Sequence, residues 1–124
     1  MNGIDFLVDT NVLLYMLHGE HPTAVKIAQH DFSLGVSEIT EIELLGKKNI
    51  SQQDINIIRN LLNDCIIIPF NTNIKELTIS LKQKYSIKTP DAIIAATAKS
   101  LNLQLLTFDK DFEKIDDEDI VILD

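Results

Sequence analysis

The amino-acid sequence predicts an α/β/α sandwich, a single domain over residues 1–124 in which helices cover both faces of a mainly parallel sheet of four or five strands. Three observations predict this fold class. Short apolar runs alternate with segments of helical periodicity, as they do in βαβ units. The runs are apolar at successive positions, which is typical of strands buried on both faces. The length suits one core and is too short for two ordinary domains.

Five apolar runs are predicted to be strands, at residues 4–8, 32–36, 65–68, 103–107 and 120–123. Asp9 ends the first run. Pro69, which has no backbone N–H to donate to a sheet, ends the third. Because helical segments separate most of these runs, neighbouring strands are expected to be parallel.

Six segments are predicted to be helices, at residues 12–17, 22–31, 37–46, 51–62, 71–85 and 89–101. Ser37 and Thr89 are predicted N-caps, since a hydroxyl oxygen accepts from the free N–H groups of a first turn. Pro90 and Asp91 suit the first turn of the last helix, where proline needs no partner and an acid faces the positive end of the dipole.

The helix at residues 37–46 is predicted to bury one face and to expose the other. Its buried stripe is expected to include Ile39 and Ile42. Glu38 and Glu41 lie off that stripe and are expected to face solvent. We therefore do not count Glu38 and Glu41 as site candidates, in contrast to Glu43 on the same helix.

Charge and composition limit the classes of function. The chain has 11 basic and 19 acidic residues and a net charge of −8, which opposes nucleic-acid binding by general charge attraction and favours a basic partner. No apolar run is long enough to span a membrane, and the first residues lack the basic start of a secretory signal, so the protein is expected in the cytoplasm. The single cysteine, Cys65, is expected to be a buried structural thiol.

Four acidic residues follow or flank predicted strands: Asp9, Glu43, Asp91 and Asp109. The carboxyl ends of parallel strands meet at one rim of a sheet, so these side chains are expected to converge there. Gathering four carboxylates costs several kcal/mol of repulsion unless a cation or a proton relieves it. A hard divalent cation at such a rim indicates phosphodiester chemistry.

Each acid also has a purely structural interpretation. Asp9 could be only an N-cap, and Glu43 could form a capping box with Thr40. Asp91 could serve only the helix dipole, and Asp109 could be a turn residue. Their joint placement at one rim favours the functional interpretation.

Four sequence blocks, at residues 9–14, 37–44, 90–98 and 106–112, resemble in order the signature blocks of the PIN domain. Within that family, the length and the Asp-Ala-Ile-Ile-Ala-Ala run most resemble the VapC-type ribonuclease toxins. The resemblance implies a Mg²⁺- or Mn²⁺-dependent endoribonuclease that hydrolyses RNA phosphodiester bonds, as the toxin of a type II toxin–antitoxin pair. It also implies a cognate antitoxin as partner and a homodimer, to which the apolar stripe of the helix at 71–85 contributes unless that stripe is ordinary core.

The resemblance implies that the catalytic and metal-binding residues are those matching Asp9, Glu43, Asp91 and Asp109. We expect Asp9 and Asp91 to be the principal ligands, with Glu43 and Asp109 holding a second or water-mediated cation. Asp111 is placed outside this set, because the block that it matches uses the earlier aspartate.

Two polar residues are expected to support the site. Asn11 could orient Asp9 through a hydrogen bond, and Thr107 could bind a metal-bound water or a phosphate oxygen. A helix-start asparagine and a strand threonine explain the same two residues without any function. Six scattered lysines could contact a phosphate backbone or serve only solubility: Lys47, Lys48, Lys82, Lys84, Lys88 and Lys99.

Other folds that bind magnesium or nucleotides lack their required residues in this chain. A receiver-type phosphorelay domain needs an aspartate after the third strand, where Pro69 stands. A dehalogenase-like phosphatase needs an aspartate in the place of Asn11, and a dinucleotide enzyme needs a glycine-rich turn after the first strand. The alternative left open is a catalytically weak or inactive PIN-like module that binds RNA or protein.

Overall fold

One five-stranded sheet forms the centre of the computed structural model, which describes residues 3–124. The strands are β1 (Phe6–Val8), β2 (Leu34–Ser37), β3 (Ile66–Ile68), β4 (Leu105–Thr107) and β5 (Ile120–Ile122). They lie in the order β3-β2-β1-β4-β5, and every neighbouring pair is parallel. From β1 the chain adds β2 and then β3 on one side of the sheet. It then crosses to the other side of β1, where it adds β4 and β5. The predicted fold class is confirmed.

Six α-helices and a short 3₁₀ helix connect the strands within the described residues. The α-helices are α1 (Thr10–His18), α2 (Pro22–Gln29), α3 (Glu38–Leu45), α4 (Gln52–Asn63), α5 (Thr72–Lys84) and α6 (Thr89–Ser100). The 3₁₀ helix, Lys110–Lys114, lies between β4 and β5. All six predicted helices are present, and in residues 3–124 none is both long and apolar enough to cross a membrane.

The hydrogen-bonded strands are shorter than the apolar runs that predicted them. β1 begins at Phe6 rather than at residue 4, because pairing with β2 begins at the Phe6–Leu34 pair. β2 extends one residue beyond its prediction, to Ser37, which pairs with Ile68. Ser37 also accepts from the backbone N–H of Ile39 and so caps α3, as predicted. The strand therefore passes directly into the helix.

The start of α6 differs from the prediction. Thr89 is the first residue of the helix and not its cap, and Lys88 occupies the cap position without a side-chain hydrogen bond. Pro90 and Asp91 lie in the first turn, as expected. The fixed φ angle of proline and the acid at the positive end of the dipole stabilise this start without a capping hydroxyl.

The core has two halves, because successive strand residues point to opposite faces of the sheet. Leu7 and Leu105 pack with residues of α5 and α6, whereas Val8 and Leu106 pack with residues of α1, α2 and α4. The apolar stripe of α5 belongs to the first half, and Ile74 within it is fully buried. That stripe is core, so it offers no subunit interface.

Three predictions for α3 are wrong. Ile42 is 59% exposed, because the buried face of the helix is set by Thr40 and Leu44 and a residue midway between them projects from the opposite side. Glu38 and Glu41 are both half-buried rather than solvent-facing, and Glu38 Oε1 accepts from the backbone N–H of Phe70 at 3.1 Å. This contact ties the start of α3 to the segment that follows β3.

Candidate active site

Asp9 and Asp109 lie at the same rim of the sheet. Asp9 directly follows β1, Asp109 lies two residues beyond β4, and these strands are neighbours in parallel register, with Val8 opposite Leu106. The topological switch point of the sheet lies between β1 and β4, because the strand order changes direction there. Open α/β sheets form their ligand crevice at this point. The strand order therefore brings together two acids that are 100 positions apart in the sequence.

Asp9 is the most constrained of the candidate residues. It is 5% exposed, and its Oδ1 accepts from the backbone N–H of Thr10 at 2.8 Å, so it does cap α1. Its Oδ2 accepts from Asn11 Nδ2 at 3.1 Å and from Thr107 Oγ1 at 2.7 Å. The predicted hydrogen bond from Asn11 is present, and Asn11 Oδ1 also accepts from the backbone N–H of Phe108. The capping and site interpretations of Asp9 are compatible.

The pKa of Asp9 is raised above its ordinary value, first because burial penalises the charged form. Hydrogen bonds from Thr107 and Thr10 act in the opposite direction, and the negative charges of Glu43 and Asp109 raise the pKa further. The charges of Glu43 and Asp109 therefore act on the carboxyl of Asp9.

Thr107 links the two segments that carry Asp9 and Asp109. It is fully buried, its hydroxyl donates to Asp9 Oδ2, and the same oxygen accepts from the backbone N–H of Asp109 at 3.0 Å. The hydroxyl proton of Thr107 is thus already used in a hydrogen bond, and no part of the side chain reaches solvent. In this geometry Thr107 positions carboxylates and does not itself face a phosphate.

Glu43 joins the site through Thr10. The Thr10 hydroxyl donates to Glu43 Oε1 at 2.8 Å, and its oxygen lies 3.1 Å from Thr40 Oγ1. The proposed capping box between Glu43 and Thr40 is wrong, since α3 is capped by Ser37. Glu43 is solvent-exposed, and Thr10 of α1 holds it at the rim. Helix capping therefore does not explain its position.

A three-carboxylate group forms where α6 meets the 3₁₀ helix. Asp91, Asp109 and Asp111 each offer an oxygen within 4.8 Å of the other two. Asp111, which the sequence argument placed outside the ligand set, belongs to this group. Asp109 Oδ1 accepts from the backbone N–H of Asp111 at 2.9 Å, so the tight 3₁₀ turn folds the second acid back beside the first.

Charge crowding is also evident at Asp91. Its pKa is raised to about 6, first by burial, then by Asp9 and Asp109, and to a smaller extent by Asp111, while Lys88 lowers it. Asp91 therefore connects the Asp9 side of the rim to the Asp111 side. Five carboxylates form one cluster: Asp9, Glu43, Asp91, Asp109 and Asp111.

This donor set suits a hard divalent cation. The cluster offers carboxylate oxygens, which Mg²⁺ and Mn²⁺ prefer, and its chemistry differs from the thiolate and imidazole sets of structural zinc sites. Sequence reasoning missed Asp111, Thr10 and Thr40. The two-residue spacing of Asp109 and Asp111 was visible, but only the 3₁₀ turn between them reveals the convergence.

Comparison with known proteins agrees with this geometry. The family model of the PIN domain matches residues 6–118, which is most of the chain. The chain belongs to the PIN domain family. The matched span contains every carboxylate of the cluster and all but the last strand of the sheet.

Individual relatives of this PIN domain have been named or solved. It is 39% identical over 61 residues to "Ribonuclease VapC6" of Methanocaldococcus jannaschii, an alignment that covers 48% of this chain and only 40% of that relative. A toxin–antitoxin complex from Klebsiella pneumoniae is 34% identical, with a TM-score of 0.74 over 90% of this chain and 93% of the other. VapBC-1 from nontypeable Haemophilus influenzae is 29% identical, with a TM-score of 0.69 over 90% and 92% of the two chains.

Proposed function

We propose that this chain, as a single PIN-like nuclease domain over residues 1–124, is a metal-dependent endoribonuclease that hydrolyses RNA phosphodiester bonds in the cytoplasm. The convergence of five carboxylates at the rim beside β1 and β4 is the observation that carries the proposal. Membership of the PIN family and the likeness to a protein named as a ribonuclease support it.

Mg²⁺ or Mn²⁺ is the proposed cofactor, held by Asp9, Glu43, Asp91 and Asp109, with Asp111 as a further ligand. When bound, such an ion activates water as a nucleophile and neutralises charge on the phosphate. Asn11 and Thr107 hold the carboxylate of Asp9 in place through their hydrogen bonds. The carboxylates of the cluster repel one another, so they are not all charged in the metal-free protein. Binding of a cation would relieve that repulsion.

The chain itself need not supply a covalent nucleophile. Cys65 is the only cysteine, and its thiol donates to Leu61 O, in the last turn of α4, at 3.5 Å. Burial raises the pKa of this thiol to about 11, and Asp64 contributes to the rise. A neutral thiol is a poor nucleophile, so Cys65 does not compete with the carboxylate cluster as a candidate centre for hydrolysis.

A cleavage assay tests the proposal. Purified chain is incubated with single-stranded RNA in Mg²⁺, in Mn²⁺ and in a chelator, beside Asp9→Asn and Asp91→Asn. We expect metal-dependent cleavage that falls about 100-fold or more in both variants. Asp31→Asn, an exposed loop residue, is the charge-matched control and should cleave like the native chain. Thermal unfolding of each variant shows whether the fold is kept.

The second candidate function is binding of RNA or protein without cleavage. The net charge of −8 and the single arginine favour this second function. Both lower the affinity for a phosphate backbone, and a nuclease needs that affinity to bind its substrate. The same assay separates the two candidates. RNA binding with no metal-dependent product, or cleavage that survives in Asp9→Asn, contradicts the nuclease proposal.

We further propose that the chain is the toxin of a type II toxin–antitoxin pair and forms a homodimer. The solved relatives include toxin–antitoxin complexes, and an acidic rim suits an antitoxin that presents basic residues. Expression of the native chain should arrest growth, Asp9→Asn should not, and co-expression of the neighbouring reading frame should relieve the arrest. Absence of arrest by an active nuclease counts against the toxin role.

A further inference from the structure

A cleft opens beside the acidic cluster, between the loop that precedes α6 and the 3₁₀ helix. Its volume is about 270 Å³, and it is lined by Ser86, Ile87, Lys88, Asp91, Asp111 and Lys114. Asp91 and Asp111 belong both to this cleft and to the carboxylate group. The cleft is therefore an extension of the candidate active site and not a separate cavity.

The cleft places two lysines beside two carboxylates of the acidic cluster. Lys88 and Lys114 are both solvent-exposed, one on the loop before α6 and one at the end of the 3₁₀ helix. Lys88 is close enough to Asp91 to lower its pKa. In a chain of net charge −8, a polyanion approaching five carboxylates is repelled unless local cations offset them. Lys88 and Lys114 are cations that line the cleft beside Asp91 and Asp111.

Both walls of the cleft are anchored to the fold. Lys82 Nζ donates to Ile87 O at 3.0 Å, which ties the loop before α6 to the last turn of α5. Phe112 and Ile115, which lie before and after Lys114 in the chain, are 1% and 5% exposed. The backbone of each lysine is thus held in place, and only the flexible side chains must order when a ligand binds.

We propose that this cleft binds the RNA phosphate adjacent to the one being cleaved, with Lys88 and Lys114 donating to its non-bridging oxygens. The proposal rests on the proposed function and deepens it, since it assigns the direction in which the strand leaves the acidic cluster. An ammonium group suits this role because it binds phosphate as a point charge and needs no planar partner. The cluster then holds the scissile phosphate and the lysines hold its neighbour.

The test compares Lys114→Gln, Lys88→Gln and the double variant with the native chain on a short single-stranded RNA at saturating Mn²⁺. Lys75→Gln, an exposed residue of α5, is the charge-matched control. We expect each cleft variant to raise KM about fivefold while kcat changes less than about twofold, and Lys75→Gln to change neither. Lys114→Arg should restore the native KM, because it restores the charge.

A direct binding measurement separates this inference from the proposed function. RNA affinity is measured in Ca²⁺, across salt concentrations, for the same variants. Each cleft lysine should contribute about 0.7 to the slope of log K against log salt, as one phosphate contact to a single strand does. If the native chain cleaves RNA but the cleft variants match Lys75→Gln in KM and in slope, the cleft assignment is wrong and the nuclease stands. If the native chain neither binds nor cleaves RNA, both proposals fail.

Discussion

Thr107 connects two carboxylate-bearing segments through a single hydroxyl group. The hydroxyl donates a hydrogen bond to Asp9, and its oxygen accepts from the backbone N–H of Asp109. The side chain has no exposed surface. The hydrogen bond to Asp9 lowers the pKa of that carboxyl against the effect of burial. At the scale of single residues, the site depends on a hydroxyl group that solvent does not reach.

Thr107→Val keeps the shape of the side chain and removes both hydrogen bonds. We expect the free energy of unfolding to fall by about 1 to 3 kcal/mol, because the buried carboxylate of Asp9 and the backbone N–H of Asp109 each lose a hydrogen-bond partner. We also expect activity to fall about 10- to 100-fold and the Mn²⁺ concentration for half-maximal activity to rise, because a higher pKa at Asp9 weakens cation binding. Denaturant unfolding and metal titration of the cleavage rate measure these effects.

Thr78→Val is the matched control for that substitution. Thr78 is also buried, but its hydroxyl donates to Ile74 O within α5, away from the cluster. It should lose less stability than Thr107→Val and keep native metal dependence. Equal metal dependence in the two variants would mean that Thr107 does not position the site.

At the scale of elements, the starts of three helices supply three of the five carboxylates. Asp9 caps α1, Asp91 lies in the first turn of α6, and Asp109 caps the 3₁₀ helix. The positive end of a helix favours a carboxylate there, which offsets part of the cost of crowding. Other helices have caps with no such role, and Asn71 on α5 is one of them, accepting from the backbone N–H of Ile74 at 2.8 Å.

Asn71→Ala should separate helix stability from site chemistry. Loss of the cap should lower the free energy of unfolding by about 1 kcal/mol, whereas Asn73→Ala, an exposed position inside α5, should change it by less than about 0.5 kcal/mol. Both variants should keep the native dependence of cleavage on Mn²⁺. A shift in metal affinity on loss of this cap would show that α5, which packs on α6, transmits strain to Asp91.

At the scale of the whole molecule, the charge cluster couples folding to pH and to metal. The pKa of Asp91 rises from 3.8 to about 6 on folding, so between these values the folded chain binds more protons than the unfolded chain. Its contribution to stability is therefore greatest at low pH and decreases as pH rises toward about 6. Above that pH the carboxylate is charged in both states, and only a cation can offset the repulsion.

The metal-free chain should accordingly unfold at a lower temperature at about pH 7.5 than at about pH 5, and Mn²⁺ should raise the unfolding temperature more at the higher pH. Asp91→Asn should reduce both effects, and Asp31→Asn should change them far less. Calorimetry of the three chains at both pH values gives the result. An Asp91→Asn variant with native pH dependence would assign the effect to net charge alone.

Sequence patterns predicted much of the fold and part of the site. Periodicity located the helices and the apolar runs located the strands, since both signals are local. The capping box at Glu43 and the burial of Ile42 were wrong, because each depends on which face of α3 meets the sheet. Those faces are set by neighbours that are distant in the chain.

By itself, the sequence determined the alternation of helix and strand, the sign of the charge and the four acids that follow or flank strands, because these depend on residue type and spacing. Only the tertiary structure decided that Asp111 joins the carboxylate group, that Thr107 faces inward, and that Lys88 and Lys114 line one cleft. The physical reason is strand order. Placing β4 beside β1 brings the 3₁₀ helix to the first turn of α6, and no local pattern encodes that contact.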